Sequence, residues 1–119
     1  MKLKKSLGQN FLKDSFFLEK IVQSSQIQKL DDVIEIGPGD GALTELILKK
    51  SNSLIAIEID QRFSEKLKER HIYDNFQIHN TDFLKINLNE INFEDKVVMG
   101  NLPYLSLIHI SEPTRPLTI

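Results

Sequence analysis

Three groups of residues in this chain are of types that do chemistry when brought together. The first is Glu35-Ile-Gly-Pro-Gly-Asp-Gly-Ala42, which sets Gly37, Gly39 and Gly41 at G-x-G-x-G spacing. Glycine tolerates positive φ and lets a ligand come close to the backbone. A helix beginning near Gly41 would add unpaired N–H groups facing the same space. Dinucleotide sites favour the longer G-x-G-x-x-G, which leaves room for a pyrophosphate. Here the loop is tighter, and Glu35 and Asp40 are acidic. Carboxylates beside a ligand disfavour a pyrophosphate and suit an ammonium or a sulfonium. The loop has no Walker lysine, which argues against nucleoside triphosphate hydrolysis.

The second group is a pair of carboxylates, Glu58 in I-E-I-D and Asp82 in N-T-D-F-L. An acid at the end of a strand following a glycine loop can accept from both hydroxyls of a ribose. Asp82 could accept from an adenine amine, with Phe83 beside the ring. The third is Asn101-Leu102-Pro103-Tyr104. An exocyclic adenine amine is a poor nucleophile because its lone pair is delocalised into the ring. The Asn101 side-chain oxygen and a nearby carbonyl can accept its two N–H bonds and aim the lone pair at an electrophilic methyl. Pro103 fixes the local backbone, and Tyr104 offers a face for a flipped base. Each group alone has an ordinary reading: a βα turn, a strand-end carboxylate, a helix cap at Asp82, an Asn-x-Pro turn. In this order, after successive strands, they line the edge where open α/β sheets bind ligands.

The elements that must position them follow from periodicity. Residues 15–30 show apolar residues near helical spacing and suggest one or two short helices with Asp14 or Ser15 as N-cap. Strands are expected over 33–36, 53–60, 75–80 and 96–101, and helices from about 42 and over 61–71, the latter with Phe63 and Leu67 inward. The stretch holding Leu84, Ile86, Leu88 and Ile91 reads as a short helix or loop. Strands alternating with helices imply right-handed βαβ units and a parallel sheet.

Composition narrows the class. The 119 residues carry a net charge of −2 and no cysteine, which excludes a disulfide framework, a thiolate zinc site and a cysteine nucleophile. His71, His79 and His109 lack ligand spacing, so no metal site is expected. No apolar run is long enough for a membrane span, and the N-terminus lacks a secretory apolar region, so a cytoplasmic protein with no membrane partner is expected. Lys2, Lys4, Lys5 and Lys13 form a basic arm with no acid, which can contact phosphate or serve as a solubilising terminus.

Together K-S-L-G-Q-N-F-L (5–12), E-I-G-P-G-D-G-A-L-T (35–44), E-I-D (58–60), T-D-F-L (81–84) and N-L-P-Y (101–104) resemble the rRNA adenine N6-dimethyltransferases. The resemblance implies the N-terminal half of a Rossmann-like class I S-adenosylmethionine-dependent methyltransferase fold, incomplete here, with helices on both faces of a parallel sheet. It implies S-adenosylmethionine as cofactor and small-subunit rRNA, or the pre-ribosomal small subunit, as partner. By position it sets Gln9, Asn10 and Leu12 over the cofactor, and Gly37 and Gly39 against its methionine part. Glu58 and Ile59 fall at the ribose and adenine, Asp82 and Phe83 at the adenine. Asn101 falls between cofactor and target amine, with Leu102, Pro103 and Tyr104 completing the catalytic tetrad. L-G-Q-N-F-L and N-L-P-Y look more like the small-subunit (KsgA/Dim-type) branch than the Erm-type large-subunit branch. A non-catalytic cofactor- or RNA-binding remnant is the alternative of another class.

The resemblance divides the chain into a basic arm with N-terminal helices (1–30), a partial methyltransferase domain (31–104) and a tail (105–119). Leu105 to Arg115, LSLIHISEPTR, matches the in-frame translation of a transposase sequencing adaptor, so the tail is expected to be non-native and without a partner in the sheet. On that reading β-strand 96–101 keeps an open edge, the chain alone is inactive, and the complete enzyme is a monomer.

Overall fold

The computed structural model describes residues 15–70, 73–87, 89–100 and 115–118. The first helix, α1 (Ser15–Ser25), buries Leu18 and Val22 and ends where Gln26 turns to φ 59°. One helix thus forms, and Leu30, read as part of a helical stripe, is 88% exposed in the turn that follows. Then come β1 (Asp32–Ile36), α2 (Ala42–Lys50), β2 (Ser53–Glu58), α3 (Gln61–Arg70) and β3 (Phe76–Asn80). A 3-10 turn at Phe83–Lys85 precedes β4 (Lys96–Gly100), and β5 (Arg115–Thr118) closes the sheet. In α3 the inward residues are Leu67 and Ser64, with Phe63 only partly buried.

All pairings are parallel, in the order β3-β2-β1-β4-β5. β1 is central, flanked by β2 with Ile34 opposite Ile55 and by β4 with Ile34 opposite Val98. The chain therefore moves outward from β1 to β3 and then returns across the sheet to β4. Right-handed crossovers in one direction put their helices on one face, and a crossover in the other direction must cover the opposite face. The packing follows that rule. On one face Leu18 and Val22 of α1, Leu43 and Ile47 of α2 and Leu67 of α3 join Val33, Leu54, Ala56, Val97 and Met99. On the other, Ile34, Ile36, Ile57 and Val98 meet Ile91, with Phe83, Ile86 and Phe93 packed around them. Among the described residues, the cover on this second face is the 3-10 turn and its following loop. Phe83, Ile86, Ile91 and Phe93 cover that face with no repeating period, which is why the stretch reads ambiguously in sequence; Leu84 is exposed, and Leu88 lies outside the described residues.

The tail expectation needs one correction. Arg115–Thr118 does have a partner: it lies parallel to β4, with Val98 opposite Pro116 and Gly100 opposite Thr118. The edge of β4 left over from the β1 ladder offers unpaired N–H and C=O groups, which any extended segment can satisfy. Proline is compatible with this place because β5 is an edge strand. No described helix is long and apolar enough to cross a membrane.

At the amino ends of the strands, the Asp32 carboxylate accepts from Ser53 Oγ at 2.7 Å and from Asn52 Nδ2 at 2.8 Å. These hydrogen bonds hold its pKa below the ordinary carboxylate value, with Lys96 contributing at longer range. Stability from this group is present above the unfolded value of 3.8 and is lost as pH falls through the lowered folded value. Asp32→Ala should cost about 1 kcal/mol near neutral pH. Urea unfolding at about pH 7 and about pH 3 checks this: the difference between variant and parent should shrink in acid.

Candidate functional site

The carboxyl ends of β1, β2 and β3 carry the ligand-type residues found in the sequence. β1 ends at Ile36, and the chain turns through Gly37, Gly39 and Gly41, all at positive φ (71°, 60° and 86°). The Gly37 N–H donates to the Ile57 carbonyl at 2.8 Å, which fastens the loop to β2. Gly39 N–H donates to Glu58 Oε1 at 2.8 Å, and Asp60 N–H donates to Glu58 Oε2 at 2.8 Å. One carboxylate thus joins the glycine loop to the turn after β2, and Glu58 is only 5% exposed. Each of its oxygens keeps a second lone pair for a ligand hydroxyl.

The three glycines do different work. Among the described residues, a Cβ at Gly37 or at Gly39 would meet nothing within 4 Å, so the loop is open to them there. A Cβ at Gly41 would lie 2.5 Å from Leu67 Cδ2 of α3. Gly41 is the N-cap of α2 without a side-chain cap, and the Asp40 side chain instead accepts from Ala42 N–H at 3.1 Å. Arg70 of α3 holds the loop from behind, donating through Nη1 to the Asp40 carbonyl at 2.8 Å. The open side of Gly39 thus adjoins Glu58, whose remaining lone pairs can accept from ligand hydroxyls.

Asn80 and Thr81 brace the same corner. Asn80 Nδ2 donates to the carbonyls of Glu58 (2.9 Å) and Ile59 (3.2 Å), and Thr81 N–H donates to the Glu58 carbonyl (3.1 Å). Ile59 itself is 63% exposed beside the site. Asp82 caps the 3-10 turn, its Oδ1 accepting from Leu84 N–H at 3.0 Å. Phe83 packs on the second face, edge-on to Phe93 at 6.2 Å. The sequence residues Gln9, Asn10, Leu12, Asn101, Leu102, Pro103 and Tyr104 lie outside the described residues. Among the described residues no group of three or more His, Cys, Asp or Glu is arranged to hold a metal.

Sequence reading did not single out three residues that shape this corner. Asn80 was legible only as a polar strand end. Thr44 is a fully buried hydroxyl on α2 whose Oγ1 donates to Glu35 Oε1 at 2.7 Å. Gly100 ends β4 against β1, where a Cβ would come 3.0 Å from Ile36 Cβ. That close approach leaves little room for a side chain at the end of β4.

Burial pushes the Glu35 carboxyl up to about 7; the Thr44 hydrogen bond opposes this, and the Glu58 charge adds to it.

The chain matches the ribosomal RNA adenine dimethylase family over residues 1–113. It belongs to that family. It is 49% identical over 102 residues to ribosomal RNA small subunit methyltransferase A of Mycoplasma mobile, covering 85% of this chain and 39% of the relative. The corresponding protein of Mycoplasmopsis synoviae is 46% identical over 101 residues, covering 85% and 39%. The chain therefore spans about two-fifths (39%) of the length of these relatives. Among solved structures, a dimethyladenosine transferase from Plasmodium falciparum superposes with a TM-score of 0.71 at 27% identity, covering 87% of this chain and 39% of that one. The 23S rRNA methyltransferase ErmE gives 0.67 at 28%, covering 79% and 38%. Phosphoethanolamine N-methyltransferase 1 of Haemonchus contortus, solved with S-adenosylhomocysteine, shares the fold at 20% identity and a TM-score of 0.66, covering 84% and 21%. The fold is accordingly part of the Rossmann-like class I methyltransferase architecture.

Two outcomes follow for this family member. Gly39→Ala should leave the fold intact at a cost of about 1 kcal/mol for left-handed strain, yet weaken cofactor binding by filling the open space. Gly41→Ala should cost more, about 2 kcal/mol, because it adds collision with Leu67 to the same strain. Thermal unfolding paired with titration calorimetry separates the two.

Glu35 gives a pH signature. Its contribution to stability is complete below the unfolded value of 4.5 and is lost as pH rises through about 7. Glu35→Gln should flatten the stability profile between about pH 5 and pH 8 and make the variant the more stable form at the upper end. Urea midpoints across that range test it.

Proposed function

We propose that this chain carries the cofactor-binding portion of a ribosomal RNA small subunit methyltransferase A-like enzyme. Such an enzyme transfers methyl groups from S-adenosylmethionine to the N6 amines of adjacent adenines in small-subunit (16S) rRNA during ribosome biogenesis. The observation that carries the reading is the open space over Gly37 and Gly39, floored by a Glu58 carboxylate already aimed by Gly39 and Asp60. The names of the relatives support the substrate class.

When bound, S-adenosylmethionine supplies the electrophilic methyl. The chain's own residues bind and orient. Gly37 and Gly39 admit the methionine part. Glu58 accepts from the ribose hydroxyls through its remaining lone pairs, and Ile59 covers an apolar face of the nucleoside. Asp82 accepts from the cofactor's adenine amine beside Phe83. Gln9, Asn10 and Leu12, on the basic arm, close over the cofactor. Asn101 accepts from the target amine and turns its lone pair toward the methyl. Leu102 and Pro103 hold the backbone in place for that contact, and Tyr104 stacks on the target base. The methylated ammonium is acidic enough to lose its proton to water. The partner is small-subunit rRNA or its precursor particle, met in the cytoplasm by a monomeric enzyme.

The test exchanges residues 1–104 into the Mycoplasma mobile relative in place of the matching segment. The chimera should transfer labelled methyl to small-subunit precursors and leave naked large-subunit rRNA unlabelled. Asn101→Ala in it should lower turnover by about 100-fold or more. A folded chimera that binds S-adenosylmethionine but labels no small-subunit RNA would sink the reading. Labelling of large-subunit RNA instead would assign the chain to the Erm-type branch.

A further inference from the structure

Beneath the glycine loop lies a carboxyl that the binding scheme above does not use. Glu35 sits on the central strand, two residues before Gly37, and is 2% exposed. Its side chain points to the helix-bearing face, where Thr44 Oγ1, itself fully buried in the first turns of α2, donates to it at 2.7 Å. This is a tie between the strand that enters the loop and the helix that leaves it. Ala56 of β2 and Met99 of β4 flank Glu35 in the sheet, and α1 and α3 bring Leu18, Val22 and Leu67 to the same face. Of the charged groups described, Glu58 acts on Glu35 from β2. Arg70, from α3, is engaged by the Asp40 carbonyl on the loop. Glu45 and Lys49 of α2 pair with each other on its exposed side.

We propose that Glu35 and Thr44 form a proton-linked latch under the cofactor loop. Ionised, Glu35 accepts a charge-assisted hydrogen bond from Thr44, which draws the start of α2 onto β1. The same ionised carboxylate adds buried negative charge beneath the space over Gly37 and Gly39, which favours a cationic ligand end. Protonated, the latch loosens and that charge is gone. Glu35 is thus a positioning residue, acting through the loop. Burial supports a titration in the working range, since the carboxyl is pushed up to about 7. By linkage, a cation bound above the loop must in turn favour the ionised form.

The loop can be read with no ligand present. Amide chemical shifts of Gly39, Gly41 and Ala42 in the 119-residue chain, followed from about pH 5.5 to 8.5, should share an inflection near 7. Glu35→Gln preserves shape and an acceptor for Thr44, and should abolish that inflection. Thr44→Val should move it to higher pH, because the hydrogen bond that favours the ionised form is gone. A merely structural role would leave the position of the inflection unmoved. Persistence of the inflection in Glu35→Gln, or its absence from the parent, overturns the latch.

The coupling to ligand rests on the cofactor reading above and is measured separately. S-adenosylmethionine, with its sulfonium, should bind the parent about fivefold more tightly at pH 8 than at pH 6. S-adenosylhomocysteine, with a neutral sulfur, should gain less. Glu35→Gln should flatten both profiles. If the parent binds neither compound, the cofactor reading fails, while the ligand-free titration still decides the latch. If it binds both with a profile that Glu35→Gln leaves unchanged, the coupling alone is overturned.

Discussion

Two backbone amides from different turns, those of Gly39 and Asp60, donate to the two oxygens of one nearly buried carboxylate. Without Glu58 those N–H groups would need other partners, and the glycine loop would rest on the Gly37 N–H to Ile57 carbonyl bond for its tie to β2. With it, the loop stays open over Gly37 and Gly39, where no described residue lies within 4 Å of an added Cβ. The same strand end is gripped from the other side by Asn80 and Thr81, so β1, β2 and β3 are registered at one corner. Charge-assisted hydrogen bonds to backbone amides are among the stronger polar contacts available to a fold. Here two such bonds join the glycine loop to the turn after β2, while β3 is tied to the same strand end through the backbone carbonyls of Glu58 and Ile59.

Much of this was legible in the sequence, for definite reasons. Leu54 to Ile57 is apolar in an unbroken run, and Val33, Ile34 and Ile36 are apolar around the single acid Glu35, because strands covered on both faces need apolar residues on both. The G-x-G-x-G loop marks the turn because positive φ is needed at all three glycines. What stayed hidden is what has no local signal. That Gly41 is required by Leu67 and Gly100 by Ile36 depends on contacts between distant elements. Thr44 looked like one more helix residue, and only the position of Glu35 on the same face of the sheet gives it a partner. Residues 83–93 could not be resolved between helix and loop because they cover the second face by single apolar contacts.

The two ends of the strands are built differently. At the amino ends, Asp32, Asn52 and Ser53 tie β1 to β2. At the carboxyl ends lie Glu58, which joins two turns, the buried Glu35, whose raised pKa marks a desolvation cost, and three glycines at positive φ. Open α/β folds commonly bind ligands at this end, where the strand order reverses. In this chain the reversal falls between β1 and β4, the strand that precedes the N-L-P-Y segment in sequence.

The position of β1 at the middle of the sheet also constrains how the chain is made. β1 pairs first with β2, which follows closely, but its other edge waits for β4. At a ribosomal rate of ~5–20 residues per second, the roughly 40 residues between Glu58 and Lys96 take on the order of seconds to emerge. During that interval Ile34 and Ile36 line an unpaired, apolar ladder on a nascent protein. The chain thus exposes its central strand during synthesis, a window in which chaperones or neighbouring nascent chains compete with its own fourth strand.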